Sequence, residues 1–377
     1  MLAPYAFRPE ETRGRRYPEP RHPYRNDFQR DRDRIVHSRA FRRLENKTQV
    51  FTRRYSDHFR NRLTHTIEVS QISRTIAAEL ELNEDFVETL ALAHDIGHPP
   101  FGHSGEETLN AAMQEHSDNF DHNLHALHIV EQFEQRYAEF PGLNLTFEVR
   151  EGIIKHSRDY DGRQFPQLAE YLLEQRPPLE AQLIDLTDEI AYNTADLDDG
   201  LEAKILTLEQ MRTGIPLFAR LYDAVEQLYP RTSDKLKFNE TLKRVLDYMV
   251  SNLIAATKSR LAAAGVGSVD DVRRHPERLV GFSPEVAEER RQFKTFLYEN
   301  LYFSAVLKAD KERAEQVVAE LFDFFIKAPE ELPASYQEKI QHEPLHRIVC
   351  AYIAGMTDNY IQDQHRRFCG ESRRISV

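Results

Sequence analysis

Residues 86–98 have the sequence FVETLALAHDIGH, and the fold is decided by how this stretch begins and ends. Its apolar residues recur at helical spacing, and Asn83 with two acidic residues after it is a typical helix start. The stretch then passes into a segment rich in glycine and proline, which cannot continue the helix. A helix that ends in this way presents His94 and Asp95 to a cavity, held by the backbone, rather than to bulk water.

Helical periodicity continues along most of the chain, and alternating strand patterns are short and rare. The sequence therefore predicts an all-α fold. We expect an extended basic N-terminal arm over 1–58, a helical core over 59–200, and a C-terminal helical region over 201–377 packed on the core as one continuous globule. Beyond the helices at 59–82 and 84–93, the predicted helical segments are 124–137, 179–197, 240–263, 290–302, 312–327 and 346–361.

Composition narrows the class of protein. Hydrophobic residues make up 40% of the 377 residues and charged residues 30%, which is typical of a soluble chain with a sizeable core. No run approaches the roughly 18 apolar residues of a membrane helix, so we expect no membrane association. The first residues lack the apolar segment of a secretory signal, and two cysteines do not make a disulfide framework. The sequence predicts a cytoplasmic protein.

The net charge of -12 is unevenly distributed. Residues 1–62 hold 17 Lys or Arg against 8 Asp or Glu, and the remainder of the chain holds 33 against 54. A basic arm on an acidic body attracts polyanions locally. The partner is then a nucleic acid or a polyphosphate substrate, unless the arm pairs with the acidic body of its own chain.

A set of two histidines and two aspartates indicates a metal site. His94-Asp95 is accompanied by His65, in the preceding helix, and by Asp188, among apolar residues of a later helix. Taken alone, each residue has a simpler interpretation: His65 as a hydrogen-bonded histidine of the core, and Asp188 as an acid on the surface. Together, imidazole and carboxylate ligands bind Mn²⁺, Fe²⁺, Ni²⁺, Co²⁺ or Zn²⁺ and tolerate Mg²⁺. Four such ligands on a six-coordinate ion leave positions for water and a phosphate oxygen, as hydrolysis requires.

A second group of histidines follows the His94-Asp95 pair. His103 lies in a glycine-rich turn just before a predicted helix start at Ser104, which forms a capping-box pattern with Glu107. There it can protonate a leaving oxygen or position the attacking water, with Glu106 orienting it. The alternative is a turn histidine exposed to water.

Several long motifs resemble the deoxynucleoside triphosphate triphosphohydrolases of the HD superfamily, specifically the bacterial dGTPase-like group. The resemblance runs from about residue 25 to 365. The motifs are FQRDRDRIVHSRAFRRLENKTQVF (28–51), RNRLTHTIEVSQISRTIA (60–77), LALAHDIGHPPFGHSGEETLN (90–110), EGIIKHS (151–157), LTDEIAYNTADLDDG (186–200), FLYENLY (296–302) and YIAGMTD (352–358).

The resemblance implies an HD-domain core and a role for each matched residue. It implies a divalent metal ion held by His65, His94, Asp95 and Asp188, and catalysis by His103 with Glu106 as its acidic partner. The positions that match substrate-binding residues of the family are Gln49, Arg62, His98, His122, Tyr192 and Asp196.

The reaction implied by the resemblance is hydrolysis of a deoxynucleoside triphosphate, dGTP or several dNTPs, to deoxynucleoside and tripolyphosphate. It further implies a homo-oligomer, often a hexamer, and a dNTP or single-stranded DNA as effector. Two other interpretations stay open. One is another HD phosphohydrolase, a nucleotide phosphatase or phosphodiesterase. The other is a non-catalytic HD protein that binds nucleotide or nucleic acid.

Overall fold

The computed structural model describes residues 1–51 and 58–370, and over these residues the chain is all-α. Strand-like pairing there is limited to isolated bridges, between Arg15 and Thr146, Thr48 and Asn61, and Gln135 and Gly142. The predicted fold class is confirmed. None of the helices in this part of the chain combines the length and apolar character needed to cross a membrane.

The α-helices are numbered here in chain order. They are α1 (Asp27–Val36), α2 (Arg39–Arg43), α3 (Arg62–Glu79), α4 (Glu84–Ala93), α5 (Gly102–Gln114), α6 (His122–His128), α7 (Phe147–Lys155), α8 (Leu179–Glu202), α9 (Leu208–Gly214), α10 (Pro216–Leu228), α11 (Asp234–Ala264), α12 (Val269–Arg274), α13 (Pro284–Leu297), α14 (Ala305–Lys327), α15 (Ala334–Gln337), α16 (Leu345–Ala354) and α17 (Asp358–Cys369).

The chain forms two compact units, each assembled from separate segments. The first unit comprises Met1–Arg32, His65–Leu92 and Leu145–Leu307, and the second comprises Asp33–Thr64, Ala93–Asn144 and Lys308–Val377. The predicted division into 1–58, 59–200 and 201–377 follows continuous segments instead, and it stays a prediction.

In the first unit, α8 packs against α7, α11 and α13. Part of the basic arm is anchored in this unit through ion pairs: Arg15 binds the buried Asp31, whose other oxygen accepts hydrogen bonds from Thr146, and Arg32 binds Asp85 at 3.1 Å. Asp31 lies within the predicted arm itself, whereas Asp85 lies outside it, so the Arg32–Asp85 pair is of the kind that the alternative interpretation expected.

In the second unit, α5, α14, α16 and α17 share one hydrophobic core. Leu109, Phe325, Ile353 and Phe368 are among its buried side chains. Burying each such side chain contributes roughly 1.5–3 kcal/mol. This core fixes α5, which carries His103 and Glu106 near its start.

Two helix boundaries test the sequence reasoning. Asn83 caps α4 as predicted, because its Oδ1 accepts the Phe86 N–H at 3.2 Å. The predicted helix over 346–361 is wrong, because α16 ends at Ala354 and α17 begins at Asp358. The Thr357 side chain accepts the Tyr360 N–H and starts a new helix, so the apolar periodicity crosses a break.

The first turns of α3 depart from the apolar periodicity of its sequence. Ile67 is 54% exposed, whereas Ile72 and Ile76 farther along the helix are buried as that periodicity predicts. The polar residues Arg62, His65 and Thr66 are buried near the start of α3, with His65 only 1% exposed. Burying polar side chains is costly unless they find partners.

Candidate functional site

The turn between α4 and α5 is buried and pressed closely against α6. A Cβ atom built on Gly97 would lie 2.0 Å from the carbonyl oxygen of His122 and 2.5 Å from the Ala126 nitrogen. Only glycine permits this approach. His94, Asp95 and the rest of the turn through Pro100 are buried, as the sequence predicted for the end of α4.

Three basic side chains surround the Asp95 carboxylate in this turn. Its Oδ2 lies 2.9 Å from Arg62 Nη1, and its Oδ1 lies 3.1 Å from His98 Nε2 and 3.5 Å from His94 Nε2. Burial alone would raise the pKa of Asp95, but Arg62, His94 and His98 hold it well below its ordinary value. Asp95 is therefore a carboxylate, the form that binds a cation.

The start of α5 differs from the sequence prediction. Phe101 and Gly102 both have left-handed backbones, with φ of 63° and 59°, and α5 begins at Gly102 rather than at Ser104. The predicted capping box is wrong, since Glu107 instead binds Lys311 Nζ at 2.8 Å. A left-handed non-glycine residue costs roughly 1–2 kcal/mol, so the surrounding contacts must support Phe101.

The two predicted catalytic residues, His103 and Glu106, differ in their exposure to solvent. The side chain of His103 is 81% exposed, and its Nδ1 lies 3.8 Å from Glu106 Oε2. Glu106 is turned inward, and its Oε1 accepts hydrogen bonds from the His122 backbone N–H at 3.0 Å and from its Nδ1 at 2.8 Å. Burial raises the pKa of Glu106, but His103 and His122 hold it well below its ordinary value.

The rings of His98 and His122 stack, with centroids 4.0 Å apart and planes 14° from parallel. Burial, with Arg62 and His122, lowers the pKa of His98 well below its ordinary value. Burial lowers the pKa of His122 too, but Glu106 outweighs it and the net pKa is raised. The two shifts are opposite in sign, so of the two rings His122 holds a proton more readily. Asp121 accepts the Asn123 and Leu124 N–H groups and so caps α6 at His122.

Gln49 and Arg62 lie on either side of Gly102. A Cβ atom on Gly102 would lie 3.2 Å from Arg62 Nη2 and 3.4 Å from the Gln49 carbonyl oxygen. Among the described residues, Gln49 Oε1 and Arg62 Nε are buried without a hydrogen-bond partner. Unpaired buried polar atoms are costly, and a bound ligand would relieve that cost.

Sequence reasoning missed the residues that support this turn. Asp358, the first residue of α17, accepts the Phe101 N–H at 3.0 Å on Oδ1, and both the N–H (2.8 Å) and the hydroxyl of Thr48 on Oδ2. The buried Lys47 donates to the carbonyl oxygens of His98 and Ala354. The sequence signals were the position of Lys47 in the 28–51 motif and that of Asp358 in the YIAGMTD motif, and no role was attached to either.

The first unit carries the remaining predicted residues, on α3 and α8. His65 Nε2 lies 2.7 Å from Asp188 Oδ1, so these two predicted metal ligands are in contact. Asp196, two turns after Asp188, accepts a hydrogen bond from the Tyr302 hydroxyl. Burial, with Glu189 and Asp188, raises the pKa of Tyr192. Tyr192 therefore keeps its proton and can donate it in a hydrogen bond.

Comparison with known protein families agrees with this arrangement. Residues 62–193 match the HD domain, and residues 280–367 match the phosphohydrolase-associated domain. Together with the all-α fold, the match makes the chain a member of the HD superfamily of phosphohydrolases.

Its relatives narrow the family further. The chain is 47% identical over 370 residues to a deoxyguanosinetriphosphate triphosphohydrolase-like protein of Bordetella pertussis, covering 97% of this chain and 96% of the relative. A protein of the same description from Azoarcus sp. is 47% identical over 367 residues, with the same shares covered. A third, from Geobacter sulfurreducens, is 44% identical over 374 residues, 99% of this chain and 96% of that protein. The chain belongs to this family of deoxyguanosinetriphosphate triphosphohydrolase-like proteins.

A divalent metal ion is the cofactor of this hydrolase family, and the chain carries donors able to bind it. His65, His94 and Asp95 are all buried and offer two imidazoles and a carboxylate. This donor set suits Mn²⁺, Fe²⁺, Co²⁺, Ni²⁺ or Zn²⁺ and tolerates Mg²⁺. Asp95 is ionised by its neighbours, so the residues fit the ion.

Proposed function

We propose that this protein hydrolyses deoxynucleoside triphosphates, dGTP or several dNTPs, to deoxynucleoside and tripolyphosphate. The observation that carries the proposal is the group of His98, His103 and Glu106, whose ligand atoms all lie within 4.8 Å of one another beside the Asp95 turn. A histidine next to an ionised acid, one turn from a metal donor, is the arrangement that hydrolysis of a phosphate ester uses.

The metal ion would be held by His65, His94, Asp95 and Asp188. When bound, it supplies a Lewis acid that activates water and offsets charge on the phosphate.

His103 is the proposed proton carrier. Its Nδ1 is on the side of Glu106 and its ring is exposed, so Nε2 is available to a substrate oxygen. As water attacks the α-phosphorus, the bond from phosphorus to the 5′-oxygen breaks and that oxygen requires a proton. Glu106, held by His122, keeps His103 oriented.

Other side chains bind the triphosphate and the sugar. Arg62 supplies positive charge to the leaving triphosphate, and His98 and His122 supply hydrogen bonds to it. Gln49 beside Gly102 is proposed to bind the 3′-hydroxyl. In the first unit, Tyr192 and Asp196 are proposed to face the sugar and phosphates.

A product assay tests the reaction. Purified protein with Mn²⁺ or Mg²⁺ is incubated with each dNTP and each matched NTP, and the products are separated by ion-exchange chromatography. We expect deoxynucleoside and tripolyphosphate. Release of dNMP with pyrophosphate, or of inorganic phosphate, would instead assign the chain to another class of HD phosphohydrolase, and no turnover of any dNTP would leave a binding protein.

We also propose that the protein is a cytoplasmic homo-oligomer, possible assemblies including a hexamer, with a dNTP or single-stranded DNA as effector. A closed symmetric assembly is the common state of soluble homo-oligomers. Analytical ultracentrifugation measures its mass, and the product assay repeated with a second dNTP or an oligonucleotide tests the effector. A monomer whose rate no effector changes would contradict this.

A further inference from the structure

A second group of metal-binding side chains lies in the second unit, on helices α14 and α17. His365 Nε2 lies 2.7 Å from Glu320 Oε2. Together with Cys369 Sγ, these ligand atoms all lie within 4.8 Å of one another. His365 and Cys369 are four residues apart on α17, so they project from one face of that helix. Glu320 faces them from α14.

The positions of these side chains are fixed by other contacts. Gln316 Nε2 donates to the second oxygen of Glu320 at 2.9 Å, which leaves Oε2 directed at His365. Cys369 Sγ lies 3.7 Å from the backbone oxygen of Glu320, so the thiol approaches the same residue. All three residues are half-buried.

The surroundings allow a cation to enter. A groove of about 230 Å³ reaches His365 from solvent, and the charged residues Asp310, Arg313 and Arg366 line it as well. Cys369 is the last residue of α17, and the negative end of a helix dipole favours a cation. The adjacent Arg366 is paired with Asp363, which reduces its repulsion.

The combination of ligands selects the metal. A thiolate and an imidazole with one carboxylate suit zinc better than Mg²⁺ or Ca²⁺, which prefer oxygen ligands alone. Zinc with three protein ligands takes water in the fourth tetrahedral position.

We propose that Glu320, His365 and Cys369 bind Zn²⁺ with one water molecule. On binding, the Cys369 thiol releases its proton to solvent and gives up its contact with the Glu320 backbone oxygen. The His365 ring loses the proton from Nε2 to solvent and takes one up at Nδ1, so that the Nε2 lone pair binds the ion and the hydrogen bond to Glu320 is replaced by two metal bonds. The ion then cross-links α14 to α17 in the second unit. This site is independent of the proposed triphosphohydrolase activity.

Cobalt spectroscopy on the full-length chain, stripped of metal with a chelator, tests the site. Co²⁺ bound to a thiolate gives an intense near-ultraviolet charge-transfer band, which the histidine and aspartate ligands proposed for the hydrolytic site cannot give. We expect this band in the wild type and its loss when excess Zn²⁺ displaces Co²⁺. Cys369→Ser should remove the band, and His365→Ala should weaken Zn²⁺ binding at least tenfold.

Cys350→Ser is the matched control, because Cys350 is the other cysteine of the chain and is buried in the hydrophobic core. Burial raises the pKa of its thiol, which opposes metal binding. The control should keep the band, and Zn²⁺ should raise the melting temperature of the wild type by more than that of Cys369→Ser, because the variant keeps only the proposed hydrolytic metal site. A wild type without the band, or a band that persists in Cys369→Ser, would overturn the proposal.

Discussion

Asp358→Ala tests whether α17 positions the catalytic turn. The substitution removes the acceptor of three hydrogen bonds, from the Phe101 N–H and from the N–H and hydroxyl of Thr48. Hydrogen bonds to a charged acceptor contribute about 1.5–3 kcal/mol each when buried. Thr48 and Phe101 are half-buried, so water compensates in part for each lost hydrogen bond. At roughly 1 kcal/mol per bond, the free energy of unfolding should fall by about 3 kcal/mol.

The effect on turnover follows from the backbone of Phe101. Without Asp358, nothing among the described side chains accepts its N–H, and the left-handed turn that places His103 and Glu106 relaxes. A displacement of about 1 Å in a catalytic group lowers kcat on the order of 100-fold. We therefore expect a large fall in kcat with a smaller change in KM.

The assays are urea unfolding followed by circular dichroism and the dNTP product assay. Asp363→Ala is the control, because Asp363 lies on the same helix and its ion pair with Arg366 is exposed; it should change neither stability nor kcat. Asp358→Asn keeps one acceptor oxygen and should fall between wild type and Asp358→Ala. Wild-type stability and kcat in Asp358→Ala would refute the reasoning.

Three further predictions concern packing, pH and the metal. Gly97→Ala should lower the free energy of unfolding by about 2 kcal/mol or more, because the added Cβ would overlap the His122 carbonyl oxygen. Gly162→Ala is the control, because its Cβ would meet only an ordinary contact at 3.6 Å. Equal melting temperatures of the two variants would contradict this prediction. Burial, with Lys339 and Arg347, lowers the pKa of His128 from 6.5 to about 4. Between these two pH values the unfolded chain binds a proton that the folded chain does not, so the free energy of unfolding should fall as the pH drops from 6.5 to 4. The fall is at most about 3 kcal/mol, and screening by solvent reduces it. His128→Asn should flatten that part of a melting-temperature profile, and an unchanged slope would show that His128 is not responsible. Asp95→Ala should abolish dNTP turnover and lower the bound metal by one equivalent in elemental analysis; unchanged metal content would mean that the ligands are wrong.

Local signals in the sequence predicted the elements of the fold well. Asn83 was identified as a helix cap because its side chain acts within one turn, and that interaction is independent of the rest of the structure. The burial of His94 and Asp95 followed from the break in the helix after them.

The failures have a common physical cause, which is competition from tertiary contacts. The Ser104–Glu107 pattern satisfied the rule for a capping box, but the Phe101 turn starts α5 earlier and Glu107 binds Lys311 instead. At the start of α3, the burial of Arg62 is likewise accompanied by a polar partner, Asp95, and does not follow the apolar periodicity.

The site could be predicted in part. The resemblance provided the identities of the proposed ligands, and the contacts of His65 with Asp188 and of Glu106 with His122 bring together residues far apart in the chain. The network of Lys47 and Asp358 could not be predicted, because single polar residues that bind backbone groups leave no periodic pattern.

The distance along the chain between Asp358 and its partners has a consequence for biosynthesis. Asp358 follows Thr48 by 310 residues and Phe101 by 257. A ribosome adds roughly 5–20 residues per second, so a nascent chain holds every proposed ligand of the hydrolytic metal ion and both proposed catalytic residues for many seconds before Asp358 is made. During that interval Phe101 lacks its acceptor, and the catalytic turn reaches its final geometry only after α17 has been synthesised. The proposed activity therefore requires a chain that already includes α17.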